Sequence, residues 1–239
     1  MKIINLDEFD VFKGGSEEFL GALAGAAQIK THPKGKLIIL HEEKADRFFI
    51  IKRGWVKLFR ETLDGTQSIV DILPKNHMFG ETAIFQNNQY SYSVEVIEPS
   101  EIISLPLSLL KKEIEQNHKV SLNFLKAMAV YRRQQDMEIE HRTIQNAPQR
   151  IGCFLLRLVR QDEKGAVKIQ LPYDKTLVAA RLGMQPETFS RALVKLKEKT
   201  GIRVSGATIE IDSLDQLMQY SCVACSSEFP CKDLKVAVT

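Results

Sequence analysis

No stretch of this chain approaches the roughly 18 consecutive apolar residues of a membrane-spanning helix. Its opening, MKIINLDEFD, sets acids where a secretory signal needs an apolar run. The expectation is therefore a cytoplasmic protein with no membrane partner. A strong charge bias is missing as well, the net charge being only +3 over 239 residues. Cysteine is scarce, with four residues in all, yet three of them crowd into CVACSSEFPC, Cys222 to Cys231, at the spacing C-x2-C-x5-C. A reducing compartment disfavours structural disulfides, so clustered thiols there read as metal-binding or redox-active. What is present, 44% hydrophobic and 26% charged residues, suffices for one large core or two smaller ones.

The small net charge is unevenly spread. Between Thr143 and Leu214 twelve Lys/Arg stand against seven Asp/Glu, an asymmetry that a nucleic-acid face shows and that a solvated surface can also show. Ser16 to Ala27 reads as a short amphipathic helix, capped by Ser16 with Glu17 and Glu18 in its first turn. From there to Leu105 short apolar runs (KLIIL, RFFIIKRGWVKLF, SIVDIL, YSVEVIEP, EIISLP) alternate with turn signals at Pro33-Lys34-Gly35, Lys52-Arg53-Gly54, Leu63-Asp64-Gly65 and Pro74-Lys75-Asn76. Strands at this spacing predict an antiparallel barrel or jelly roll, with Asp64-Gly65 at a hairpin tip.

From Leu107 the period becomes helical and stays so to Thr143, with a weak interruption at Asn117-His118. Leu122, Leu125, Ala129, Arg132, Asp136 and Ile139 recur on it at spacings of three and four, a narrow, partly polar stripe that suits a homodimer seam. A helix packed on its own barrel is the alternative. Two Asp136 carboxylates facing each other across such a seam would oppose association. Asn146-Ala147-Pro148 marks a linker, Pro148 being tolerated in the first turn of the next helix. In DKTLVAARLGMQPETFSRALVKLKEKTGI, a helix, a turn at Gly183 and a second helix opened by Pro186 and stopped by Gly201 give a helix-turn-helix pattern. Phe189, Ala192, Leu193 and Leu196 are assigned inward, leaving Gln185, Glu187, Thr188, Ser190, Arg191 and Lys195 for double-stranded DNA. An acid, a hydroxyl and an arginine together are the groups that read cytosine amines and guanine O6/N7 in a major groove. IRVSGATIEI then reads as a hairpin wing.

Barrel, long helix and winged helix-turn-helix follow in this order over residues 30 to 214. Together with Phe79-Gly80-Glu81 in the barrel and PETFSRAL, Pro186 to Leu193, they resemble the bacterial cyclic-AMP receptor protein and fumarate-nitrate regulator (CRP/FNR) family of transcription factors. The resemblance implies an α+β chain with four parts: an antiparallel, cyclic-nucleotide-binding-like β-roll with its N-terminal helix (1–106), a dimerisation helix (107–145), a C-terminal winged helix-turn-helix (146–214) and a cysteine-containing tail (215–239). It implies a homodimeric regulator, not an enzyme, whose partners are DNA and RNA polymerase. The pattern E-x-x-S-R, which marks the fumarate-nitrate branch, falls on Glu187, Ser190 and Arg191 and implies palindromes of TTGAT-like half-sites. Cyclic-nucleotide binders of the family carry an Arg-Ser or Arg-Thr pair about ten residues past the Gly-Glu, because the cyclic phosphate needs a guanidinium partner. Here that stretch is NNQYSYSVEV, and no arginine or lysine occurs from Thr82 to Leu110. Cyclic AMP is not expected, and Gly80 and Glu81 read as turn residues.

Fumarate-nitrate regulators hold an oxygen-sensing [4Fe-4S] cluster with three close cysteines, commonly C-x2-C-x5-C, and one distant cysteine. Here the triplet follows the wing instead of preceding the barrel, as in a smaller set of C-terminal-cluster relatives. The candidate ligands are Cys222, Cys225, Cys231 and Cys153, with Asp136, Glu140 and His141 as alternatives to Cys153. Soft thiolates on a short loop restrained by Pro230 suit iron–sulfur or zinc. Periodicity puts Ile151, Phe154, Leu155 and Leu158 on the buried face of their helix and Cys153 nearer its polar side. Zinc, a metal-free thiol switch and a thiol oxidoreductase remain open, although structural zinc more often brings two C-x-x-C pairs or added histidines. A redox pair, for its part, is expected at a helix start beside a βαβ unit. A haem sensor of nitric oxide or carbon monoxide would need a ligand from His32, His41, His77, His118 or His141.

Overall fold

The computed structural model describes residue 6 and residues 9–159, 166–171 and 174–223. Cys225 and Cys231 lie outside the described residues. The chain divides into two compact units, Met1–Ala129 and Val130–Thr239.

In the first unit α1 (Glu17–Gly25) starts at its predicted cap, where the Ser16 hydroxyl accepts a hydrogen bond from Phe19 N at 3.2 Å. Eight strands follow: β1 (Gln28–His32), β2 (Leu37–Ile39), β3 (Arg47–Arg53), β4 (Val56–Glu61), β5 (Gln67–Leu73), β6 (Met78–Phe79), β7 (Ser93–Val96) and β8 (Ser100–Pro106). They form two four-stranded antiparallel sheets, ordered β1-β8-β3-β6 and β2-β7-β4-β5. Phe48, Ile50, Phe79, Val94, Val96, Ile102 and Leu105 are buried between them, with Leu23 of α1 in the same cluster. The β4–β5 hairpin turns at Asp64-Gly65, as its sequence predicts, with the Asp64 carboxylate accepting from Thr66 N at 3.1 Å. Gly54 joins β3 to β4 at φ +94°. A Cβ there would stand 2.8 Å from the backbone Cα of Ser100, so the turn needs glycine for both conformation and space. α2 (Leu107–Gln116) and α3 (His118–Ile144) are separated by one extended residue, Asn117, whose side-chain oxygen accepts from Lys119 N at 3.1 Å. From Val130 onward α3 belongs to the second unit.

There α4 (Ala147–Leu158) opens on a reciprocal capping box between Asn146 and Gln149 with Pro148 in its first turn. It is followed by β9 (Val167–Gln170), α5 (Lys175–Arg181), α6 (Pro186–Thr200), β10 (Arg203–Ser205), β11 (Thr208–Ile211) and α7 (Leu214–Ser221). Ile151, Leu155, Val178, Leu196, Ile209 and Leu217 anchor its core. Two features differ from the sequence-based expectation. The wing is a three-stranded sheet, β10-β11-β9, because the VKIQ segment ahead of the helix-turn-helix pairs with β11. Residues assigned to a tail from 215 onward begin instead as a helix: Ser213 caps α7, accepting from Gln216 N at 3.3 Å, and Leu214 and Leu217 are buried. Eight residues are too few to be stable alone, and packing against α4 makes them helical. Gly152 of α4 lies directly against Ser221, where any Cβ would collide with the hydroxyl. Among the described residues no helix is long and apolar enough to cross a membrane.

Gly54→Ala should destabilise the first unit by about 2–4 kcal/mol, the left-handed backbone cost adding to overpacking. Urea denaturation followed through Trp55, the only tryptophan, measures this, and an unchanged midpoint would contradict the close approach to Ser100.

Candidate functional site

The helix-turn-helix is built by local rules. Asp174 caps α5, its carboxylate accepting from Leu177 N at 2.9 Å, and the turn to α6 passes through Gly183 at φ +66°. Pro186 is the first helical residue of α6, and the Ser190 hydroxyl donates back to its carbonyl at 2.9 Å. Phe189, Ala192, Leu193 and Leu196 are buried. Gln185, Glu187, Ser190, Arg191 and Lys195 are exposed, and Thr188 is half-buried. Glu187, Arg191 and Lys195 form one row at i, i+4, i+8, and among the described residues their charged groups have no ion-pair partner. The wing cations are committed: Lys168 and Arg203 both pair with Glu210, and Arg203 also with Asp212. Free positive charge is thus carried by the predicted reading helix rather than by the wing.

On α3, Leu122, Leu125, Ala129, Arg132, Asp136 and Ile139 are all exposed, forming an edge that nothing within the described chain covers. Asp136 differs from its expectation in one respect. Arg132 Nε donates to its Oδ1 at 3.0 Å within the helix, so the carboxylate carries its own counter-charge and repulsion across a seam is offset.

Of the cysteines, Cys153 and Cys222 can be located. Cys222 is the half-buried C-cap of α7, packed against the second core. Cys153 does not face the polar surface that its position in the helical period predicts: it is 6% exposed, although outside the apolar cluster. The reason is tertiary, since His141 of α3 closes over that side of α4. Cys153 Sγ lies 3.9 Å from His141 Nδ1 and 3.9 Å from Arg157 Nη2. Arg157 Nη2 donates to His141 Nδ1 at 2.9 Å. Burial first, and then the Arg157 charge, lower the His141 pKa, so the ring is neutral with its proton on Nε2. Arg157 Nη1 is also 3.6 Å from Glu138 Oε1, and Glu138 accepts from both terminal nitrogens of Arg181, at 2.8 Å from Nη1. Burial alone would raise the Glu138 carboxyl, but the hydrogen bonds from Arg181 and the charges of Arg181, Arg157 and Arg142 outweigh it and hold the pKa below the usual range. Residue order gives no sign of this cluster, because its members meet only through packing.

Around the same helices several buried polar atoms lack a hydrogen-bond partner among the described residues: both amide atoms of Gln145, Nε of Arg150 and Arg157, and the Ser221 hydroxyl. Arg150, Cys153 and Arg157 share one face of α4 at i, i+3, i+7. Through the Gly152–Ser221 contact, Cys153 and Cys222 each stand one residue from the same α4–α7 junction. Among the described residues alone no three His, Cys, Asp or Glu side chains converge as metal ligands. Asp136 points to Arg132, Glu140 is half-buried, and His141 contacts Cys153.

In the first unit Gly80 turns the chain at φ +84°, as expected, and the Tyr90 ring packs 3.1 Å from where its Cβ would be. The Tyr90 hydroxyl donates to Arg47 O at 2.7 Å, and burial pushes its pKa up to about 12, keeping it a donor. Glu81 is more than a turn residue: its Oε2 is buried without a partner among the described residues, and burial raises its pKa. Of the histidines, His41 and His118 are exposed, His32 and His77 half-buried, and His141 engaged as above.

Residues 29–117 match the cyclic nucleotide-binding domain, and residues 149–220 match the Crp-like helix-turn-helix domain. A solved structure of a regulatory protein from Silicibacter pomeroyi DSS-3 is 30% identical, with 88% of this chain and 94% of that one covered at a TM-score of 0.62. The chain belongs to the CRP/FNR family of transcriptional regulators. This CRP/FNR regulator is 27% identical over 190 residues to the nitrogen fixation regulation protein FixK of Rhizobium meliloti, covering 79% of this chain and 85% of that one. It is 25% identical over 210 residues to the CRP-like cAMP-activated global transcriptional regulator of Mycobacterium tuberculosis H37Rv, covering 87% and 94%. Its relatives are transcriptional regulators rather than enzymes. The Crp-like helix-turn-helix makes it a DNA-binding protein, and regulators of this family act as dimers.

Leu125→Glu should weaken the dimer by roughly 100-fold or more, since burial of a leucine contributes about 1.5 kcal/mol or more on each side of a two-fold seam. Sedimentation equilibrium reads the constant, and an unchanged value would place the interface off this edge.

Proposed function

We propose that this regulator binds inverted repeats of TTGAT-like half-sites, each protomer setting Glu187, Ser190 and Arg191 in one major groove. We further propose that a [4Fe-4S] cluster on Cys222, Cys225, Cys231 and Cys153 makes this binding responsive to oxygen or redox state. RNA polymerase is then the partner through which the bound dimer alters transcription.

The DNA reading is carried by the exposed Glu187 and Arg191, without ion-pair partners among the described residues, on the first turns of a helix whose opposite face is core. Arginine can pair both acceptors of guanine, and glutamate can accept from the cytosine amine. A two-fold dimer requires matching half-sites about one helical turn apart.

The cluster reading is supported by the spacing of Cys222, Cys225 and Cys231 and by the α4–α7 contact between Gly152 and Ser221, the chain neighbours of Cys153 and Cys222. Arg150 and Arg157, on the same face of α4 as Cys153, each have an Nε without a hydrogen-bond partner among the described residues. When bound, such a cluster supplies an oxidant-sensitive group. The cyclic-AMP response named for the M. tuberculosis relative does not carry over, because Tyr90 is packed against Gly80 and the segment offers no cation for a phosphate.

Arg191→Ala should weaken binding to a TTGAT palindrome by about 1–3 kcal/mol, the worth of a bidentate guanine contact. Fluorescence anisotropy at fixed salt measures it, and equal binding by wild type and variant would remove this assignment. After anaerobic purification, a serine at any one of Cys222, Cys225 or Cys231 should lose most of the iron and acid-labile sulfide. Full, air-sensitive iron loading in a Cys222→Ser/Cys225→Ser double variant would end the cluster reading.

A further inference from the structure

The helix-turn-helix is fastened to the second half of α3 at two points. Arg181, the last helical residue of α5, donates from both terminal nitrogens to the Glu138 carboxylate of α3, from Nη1 at 2.8 Å. One helical turn further along α3, Arg142 Nη2 donates to the Arg181 carbonyl at 3.4 Å, and its guanidinium carbon lies 3.9 Å from the place a Cβ on Gly183 would take. The Arg181 and Glu138 side chains are 17% and 23% exposed, whereas Arg142 lies at the surface. The turn beyond α5 is closed by backbone hydrogen bonds, from Leu182 N to Val178 O at 3.0 Å, Gly183 N to Ala180 O at 3.0 Å and Met184 N to Ala179 O at 2.9 Å. Val178, Ala179 and Met184 share one buried cluster with Phe189 and Leu193 of α6, so α6 moves with α5. On α3, Glu138 and Arg142 stand within one turn of Asp136 and Ile139 on the exposed edge.

We propose that Glu138, Arg181 and Arg142 are positioning residues that set the spacing between half-sites the dimer accepts, by fixing α6 against the edge of α3 that meets the partner. The proposal rests on the reading of that edge as the dimer seam and of α6 as the DNA-reading helix. A planar guanidinium forked onto one carboxylate fixes direction as well as distance. A single such pair would still let α5 pivot about it, and a second contact one turn away opposes that rotation. Each base pair inserted between two half-sites carries the second about 3.4 Å along the duplex and about 35° around it. A recognition helix held at one attitude to a two-fold seam meets a single geometry of this kind. One released from α3 follows the shift and keeps its base contacts over several spacings. Selectivity for spacing therefore resides in residues that touch no base.

The test reads half-site sequence and half-site spacing separately. Full-length wild type and variants, purified alike, each select sites from a pool of random-sequence duplexes. Wild type should return one spacing, and Glu138→Gln and Arg181→Met should return the same half-sites with spacings one base pair longer and shorter as well. On palindromes built from the selected half-sites, fluorescence anisotropy at fixed salt should show the preference for the best spacing over its neighbours falling from about tenfold or more to below about threefold. The Glu138→Gln/Arg181→Met double variant should be no less selective than the less selective single variant, because both remove one interaction. Arg181→Lys, which keeps the charge without the fork, should fall between wild type and Arg181→Met. Circular dichroism melting establishes that each variant is folded. Should the buried substitutions melt too low, Arg142→Met, which alters an exposed side chain, decides the matter, since it should broaden the spacing by itself. A loss of stability alone, or of a phosphate contact, lowers affinity at every spacing alike. An unchanged spacing preference in the folded variants, an equal loss at every spacing, or a wild type that already accepts several spacings overturns the proposal. Selected half-sites unlike TTGAT overturn the half-site reading, and the spacing comparison then still decides the role of Glu138, Arg181 and Arg142.

Discussion

The ionised carboxylate of Glu138 is the constraint on which the second unit depends. It sits among Arg181, Arg157 and Arg142, whose hydrogen bonds and charges outweigh the burial that raises its pKa. Because its folded pKa is depressed, its contribution to stability is complete above the ordinary carboxylate range and is lost as pH falls through the lower, folded value. At neutral pH it cannot leave its cations without stranding a poorly solvated charge. The second half of α3 is thereby tied to α4 through Arg157 and to α5 through Arg181. The exposed row on α6 follows α5 by one glycine-containing turn, so its direction is inherited from this attachment.

Both units bury polar atoms that have no hydrogen-bond partner among the described residues. In the β-roll, Tyr90 packs its ring against Gly80 and donates from its hydroxyl to the Arg47 carbonyl. Burial raises the pKa of Glu81, whose Oε2 has no hydrogen-bond partner among the described residues. In the helix-turn-helix unit His141, Gln145, Thr200 and Ser221 are the buried polar residues, and among the described residues Gln145, Arg150, Arg157 and Ser221 have side-chain atoms without hydrogen-bond partners. Polar atoms without partners in a protein interior are costly.

Local chemistry made much of this protein legible without coordinates. The Ser16 cap, the Asp64-Gly65 hairpin, the break at Asn117, the capping box at Asn146 and the helix limits at Pro186 and Gly201 are each set by residues within a few positions of one another. Helical period separated the buried face of α6 from the polar face carrying Glu187, Ser190 and Arg191. Where an element is short and stabilised from outside, the same rules were silent: β9 and α7 exist because β11 and α4 cover them.

What the sequence by itself determined, then, is the order of elements, the identity of the reading face and the spacing of the thiols, because each depends on neighbours in the chain. Tertiary structure alone decided that Cys153 is buried and not on the polar surface, that it contacts His141 and Arg157, and that Glu138 joins three helices. Periodicity states which side of a helix a residue faces. It carries no information about which helix comes to lie there, and burial, partner charges and pKa values all follow from that second fact.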